Sequence, residues 1–152
     1  AHLPGITCLR DVHRDAFETL QQHLPQPLRN RVAHVVGEVE RTESAAEALR
    51  HGDLKSFGRA MVDAHESMRD LYEVSTPEID QLISAAIKIP GCFGARLTGA
   101  GFGGCIVALV APDAMPEFSE TVPAEYLQST GRSTKVMSFS PSGGPLEWKL
   151  PR

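Results

Sequence analysis

The stretch Arg96-Leu-Thr-Gly-Ala-Gly-Phe-Gly-Gly-Cys-Ile-Val-Ala-Leu-Val110 constrains the fold of this chain more than any other. Glycines 99, 101, 103 and 104 fall within six positions, and an apolar, β-branched run follows at once. Glycine loses more conformational freedom on folding than any other residue, so such a cluster serves positive-φ turns or close approach by another group. Phe93 to Thr98 before it and Cys105 to Val110 after it read as strands. That context excludes two familiar glycine motifs. A dinucleotide fingerprint and a P-loop each need a helix after the glycines, so that helix-terminal amides face the phosphate. Cys105–Val110 is too short and too β-rich for that helix, and no Gly-Lys-Ser/Thr is present. The loop therefore joins two strands, most simply as a hairpin. Its bare N–H groups can form an anion-receptive nest. The other reading is a tight hairpin in backbone contact with a neighbouring domain, and the residues by themselves leave both open.

Nearly everything upstream reads as helix. Residues 1–11, with Pro4 and Gly5, form an irregular lead-in, and Val12 to Leu24 is a predicted helix stopped by Pro25. A second helix carries Pro27 in its first turn. Its positions Leu28, Val32, Val35, Val39, Thr42, Ala46 and Leu49 step by four and three, the period of one buried stripe. Gly52 then stands where a C-terminal cap is needed, and Asp53 can N-cap a third helix with the stripe Leu54, Phe57, Met61, Ala64, Met68, Leu71. So short a connection makes an antiparallel hairpin. His34, His65, Arg31, Arg41 and Arg69 read as a solvated face with histidines at its edge, and Met61 and Met68 as core filler. Tyr72 to Ser75 is an extended connector. Thr76-Pro77-Glu78 opens a helix running to about Ile89 and stopped by Pro90-Gly91. Beyond the strands, Pro112 to about Thr130 is a predicted helix. The alternation in Thr134–Ser140 predicts a further antiparallel strand with one polar face, and the end from Pro141 a turn with room for a fourth.

The fold class is therefore α+β: a helical hairpin and further helices packed on one face of a small antiparallel sheet, in a single domain over residues 1–152 with a tail from 145. No run of eighteen apolar residues suggests a membrane partner, and no basic-then-apolar leader opens the chain. Fifteen basic against nineteen acidic side chains leave −4, which is no footprint for nucleic acid. Cys8, Cys92 and Cys105 are odd in number and far apart, so the expectation is a reducing, cytoplasmic location without a disulfide framework. His2, Cys8 and His13 fit no zinc spacing, and no metal site is expected in this chain. A start at Ala1, in Ala-His-Leu-Pro-Gly, reads as the interior of a longer protein.

Gly94 to Val110 resembles the third motif of the GHMP small-molecule kinases in its galactokinase form. The resemblance extends to Leu9-Arg10-Asp11-Val12, to Arg31 through Arg41 with His34 and Glu38, to Gly52-Asp53-Leu54, to His65 through Ser75 with Pro77 and Asp80, and to Pro141-Ser142-Gly143-Gly144. It implies the C-terminal half of a galactokinase, with a ferredoxin-like α+β fold, acting in the intact enzyme on MgATP and galactose to give galactose 1-phosphate. It implies that the loop Thr98, Gly99, Ala100, Gly101, Phe102, Gly103, Gly104 closes on the nucleotide phosphates, with amides of Gly101, Gly103 and Gly104 and the Thr98 hydroxyl as contacts. The sugar signature, the serine-rich phosphate loop and the catalytic aspartate and arginine of such enzymes lie in an N-terminal domain whose motifs are absent here. This chain is thus expected to hold no catalytic residue, to bind neither ATP nor Mg2+ alone, and to self-associate through an exposed docking face. Ala33, Leu71 and Ala100 depart from the usual pattern, and residues 146–152 have no counterpart in it. Two other functions remain open: a related kinase for another sugar, such as N-acetylgalactosamine or arabinose, and a non-catalytic paralogue serving as a binding or regulatory module.

Overall fold

The computed structural model describes residues 5–141 and Gly143. His2, the turn from Ser142 and the tail fall outside the described residues, and with them the readings placed there. The order of elements is α1 (Arg14–Leu20), α2 (Leu28–Arg50), α3 (Leu54–Ser67), α4 (Pro77–Ile87), β1 (Cys92–Leu97), β2 (Ile106–Val110) and α5 (Met115–Thr130). It is an α+β arrangement of helices packed on a small antiparallel sheet, two-stranded among the described residues.

Local chemistry explains most boundaries. The Gly52 backbone is left-handed, at φ 69°, and the Asp53 carboxylate accepts the Ser56 N–H at 3.0 Å, so α2 and α3 fold back as the expected hairpin. Thr76 caps α4 by accepting the Ile79 N–H at 3.3 Å, with Pro77 as first helical residue. Gly131, at φ 70°, ends α5, whose entry is a 3-10 turn over Pro112–Ala114. The first helix is shorter than Val12–Leu24, because His13 is extended and Gln21–His23 tighten into a 3-10 turn. Pro27 stands just outside α2 rather than inside its first turn.

Strands β1 and β2 pair antiparallel, Ala95 opposite Ala108 and Leu97 opposite Ile106, with Phe93 as an extra residue in a bulge between Cys92 and Gly94. One face carries Ala95 and Leu97 into the main core, which α4 and α5 complete with Ile83, Ala86, Phe118 and Val122. Full burial of a side chain the size of Leu97 contributes about 2 kcal/mol. The other face, through Arg96, Val107 and Leu109, borders a groove of about 470 Å3 shared with Leu49, Phe57 and Met61 of the hairpin. The hairpin reaches the sheet by backbone against backbone, for Gly58 of α3 lies directly on Phe93 and Gly94. A smaller cluster of Phe17, Val32 and Val36 ties α1 to α2.

Three expectations change. In α2 the buried residues are Val32, His34, Val36 and Gly37, while Leu28 and Leu49, at 49% and 50% exposure, flank the stripe in solvent. His34 and His65 are buried, not at the edge of a solvated face, because each side chain finds a polar partner inside. Thr134–Ser140 forms no ladder: Val136 packs on the core, but Met137 and Phe139 project outward and no strand edge is paired.

Candidate functional site

Thr98 through Gly104 form one continuous loop at the end of the β1–β2 hairpin, as the strand-loop-strand reading expects. The Thr98 N–H donates to the Cys105 carbonyl at 3.1 Å and closes its base. Gly99, Gly101, Gly103 and Gly104 take φ of 86°, 91°, 125° and 92°, and Phe102 joins them at 62°. Five of the six residues between Thr98 and Cys105 therefore lie in a region that L side chains rarely adopt, so the glycines are conformationally required. Among the described residues, the N–H groups of Gly99, Ala100, Gly101, Gly103 and Gly104 donate to no other group of the chain. The Thr98 hydroxyl is exposed beside them. Such a row of free donors has the chemistry of an anion-receptive nest, and it carries no formal charge that would need desolvation.

Residues 98–104 themselves carry no charged side chain. Arg96, next to the loop in sequence, turns away toward the hairpin, where it meets Glu38 at 3.4 Å and the Met68 sulfur at 3.8 Å. Among the described residues no cluster of three His, Cys, Asp or Glu side chains surrounds a common point. Burial pushes the Cys92 thiol up, away from reactivity. Cys8, Cys92 and Cys105 are all free.

The loop rests on residues that sequence reasoning treated as a mere connector. The Phe102 N–H donates to the Val74 carbonyl at 2.7 Å, and Gly101 sits so close to Val74 that a Cβ there would lie 2.5 Å from that oxygen. Val74 is itself a core residue, buried with α4, α5 and β1. Glu73, at φ 59°, and a π-helical turn over Met68–Tyr72 bring it there, where an uninterrupted third helix to Leu71 was expected. No periodicity announces that turn. Gly101 is the visible half of the contact, and Val74 the silent half.

Two buried histidines flank this support. His34 shares a 2.9 Å hydrogen bond with the Ser67 hydroxyl, which also accepts from Arg41 at 3.0 Å. The His65 Nε2 donates to Asp80 at 3.1 Å, while its buried Nδ1 has no hydrogen-bond partner among the described residues. Desolvation lowers the pKa of both below the ordinary 6.5. The unfolded chain then binds protons near pH 6.5 that the folded chain refuses. Stability is complete above that pH and is lost as pH falls below it, toward the folded-state values. The thermal midpoint should therefore be several degrees lower at pH 5.5 than at pH 7.5, and His65→Gln should flatten that slope. An identical slope in the variant would remove His65 as its source.

The fold and loop define a class. Residues 45–127 match the family described as GHMP kinases C terminal, and the chain belongs to that family. Among its relatives are the galactokinase of Roseiflexus sp. (strain RS-1), 45% identical over 141 residues, and the galactokinase of Homo sapiens, 46% identical over 142. Each alignment takes in 93% of this chain but 36% of the relative, so the chain spans about a third of the length of these galactokinases. The structure of Lactococcus lactis galactokinase complexed with galactose superposes with a TM-score of 0.81 at 37% identity, over 84% of this chain and 33% of that one. The L. major mevalonate kinase, at 23% identity and TM-score 0.52 over 75% of this chain and 32% of its own, shares the fold.

Proposed function

We propose that this chain is the C-terminal part of a galactokinase, and that its Thr98–Gly104 loop closes on the phosphates of MgATP while galactose becomes galactose 1-phosphate. The observation that carries the reading is the row of unpartnered N–H groups held by five positive-φ residues, in a chain about 45% identical to galactokinases. Phosphoryl transfer depends on positioning and on stabilising charge that spreads over the phosphoryl oxygens. The N–H groups of Gly101, Gly103 and Gly104 and the Thr98 hydroxyl suit that work without covalent chemistry. Magnesium would reach the site with the nucleotide and neutralise the triphosphate. Residues 98–104 include no carboxylate to repel those phosphates.

In this reading the sugar contacts and the catalytic groups belong to a preceding N-terminal part. The apolar groove between the hairpin and the sheet, with Val107 half exposed, suits its docking, and the same groove favours self-association of the separate chain. Three free cysteines agree with a reducing, cytoplasmic setting.

The test is a chimera. The N-terminal part of the Roseiflexus galactokinase, up to the start of the matching region, is joined to this chain and assayed with MgATP and galactose. The expected result is galactose 1-phosphate from the chimera and none from the 152-residue chain alone. A folded but inactive chimera, or turnover by the separate chain, would overturn the reading.

A further inference from the structure

The segment Tyr72–Ser75 is fastened at both ends, and the glycine loop is fastened to its middle. At one end the Tyr72 ring stacks on buried His34, with centroids 4.5 Å apart and planes at 20°. Arg31 of α2 lies 5.9 Å above the same ring, donates to the Leu71 carbonyl and pairs with Glu73 at 2.5 Å. At the other end the Ser75 hydroxyl donates to Asp80 at 2.6 Å, and Asp80 accepts from His65 on α3. Between these anchors, the Val74 carbonyl takes the Phe102 N–H. The left-handed Glu73 cannot hold its conformation for its own sake, since αL is unfavourable for a non-glycine residue. Contacts around it hold it: the Arg31 pair on Glu73 itself, the Val74 N–H donated to the Met68 carbonyl at 3.1 Å, and on either side the side chains of Tyr72 and Ser75.

We propose that Tyr72 and Ser75 are positioning residues for the glycine loop: they clamp Val74 so that its carbonyl orients Phe102 and turns the neighbouring amides outward. The ring contacts of Tyr72 are with His34 and Arg31, and the Ser75 hydroxyl donates to Asp80, none of them a loop residue. Tyr72 and Ser75 each act through the backbone of Val74, which makes the clamp distinct from the anion contacts. Its effect on nucleotide binding rests on the proposed phosphate role of the loop; its geometry does not.

The amide of Phe102 reports the clamp directly, by hydrogen exchange followed by NMR on the full 152-residue chain. In Tyr72→Ala and Ser75→Ala that amide should exchange about tenfold faster than in the parent, while amides of α5 keep their rates. Tyr72→Phe preserves the stacked ring and should restore the parental rate. In the galactokinase chimera, Tyr72→Ala and Ser75→Ala should raise KM for ATP several-fold and leave KM for galactose unchanged. Parental exchange at Phe102 in both alanine variants would overturn the clamp. Tyr72 is half exposed and Ser75→Ala removes one oxygen, so a loss of fold in one variant leaves the other to decide. Faster exchange with an unchanged KM for ATP would uphold the clamp and remove the phosphate reading instead.

Discussion

A Gly58→Ala variant should unfold at least about 10 °C below the parent chain, although the substitution improves the intrinsic preference for helix. Glycine inside a helix costs about 1 kcal/mol relative to alanine, so propensity alone predicts a gain. Packing predicts the reverse. A Cβ on Gly58 would fall inside the Phe93 carbonyl group, with the Phe93 Cβ itself 2.7 Å away, and Gly94 meets the Gly58 backbone in return. Backbone cannot turn aside as a side chain can, so α3 and β1 must separate or the strand must distort. Either response costs about 3 kcal/mol or more, at the upper end of overpacking effects. Gly37→Ala is the control, because there the new methyl would meet the far end of the Arg41 side chain at 2.9 Å, which can shift where backbone cannot, and the loss of stability should be much smaller. Thermal unfolding followed by circular dichroism decides the sign. A Gly58→Ala midpoint at or above the parental value would mean that the two backbones are not in contact.

Gly101→Ala should disable the loop while sparing the fold. Its φ of 91° strains any L side chain, and its Cβ would lie 2.5 Å from the Val74 carbonyl and 2.6 Å from the Val74 Cβ. Strain and overlap together come to about 3 kcal/mol, enough to lift the loop off Val74 and break the Phe102 hydrogen bond. Since the loop is an appendage of the hairpin, the helices should keep their stability. In the galactokinase chimera kcat/KM for ATP should fall about 100-fold, the kinetic equivalent of that energy. Gly103→Ala is the graded comparison: φ is 125°, but nothing lies within 4 Å of the new methyl, so only strain applies and the loss should be several-fold smaller. Equal losses at 101 and 103 would show that contact with Val74 contributes nothing.

Much of this architecture was legible wherever punctuation is local. Gly52-Asp53 marks a hairpin because a left-handed residue and a capping carboxylate act within four positions. Thr76-Pro77 marks a helix start for the same reason, and the glycine loop shows its strand-to-strand character through its β-branched neighbours. What was not legible depends on partners far along the chain. The stripe on α2 was drawn from apolar residues alone, yet the helix also buries His34 and Gly37, one because Ser67 and Tyr72 receive it. His65 is buried against Asp80, which is on another helix. The alternation of Thr134–Ser140 describes two faces but supplies no edge to pair with, and a ladder needs both. The support of the loop by Val74 combines a π-helical turn with one backbone hydrogen bond, and neither leaves a mark on side-chain pattern.

The crossing of Gly58 over Phe93 and Gly94 also has a mechanical meaning. A joint built from two backbones contains no side chain able to hop between rotamers, so it has no soft coordinate through which hairpin and sheet could rock against each other. Leverage applied to the hairpin would therefore be passed on to β1 at this crossing rather than absorbed there.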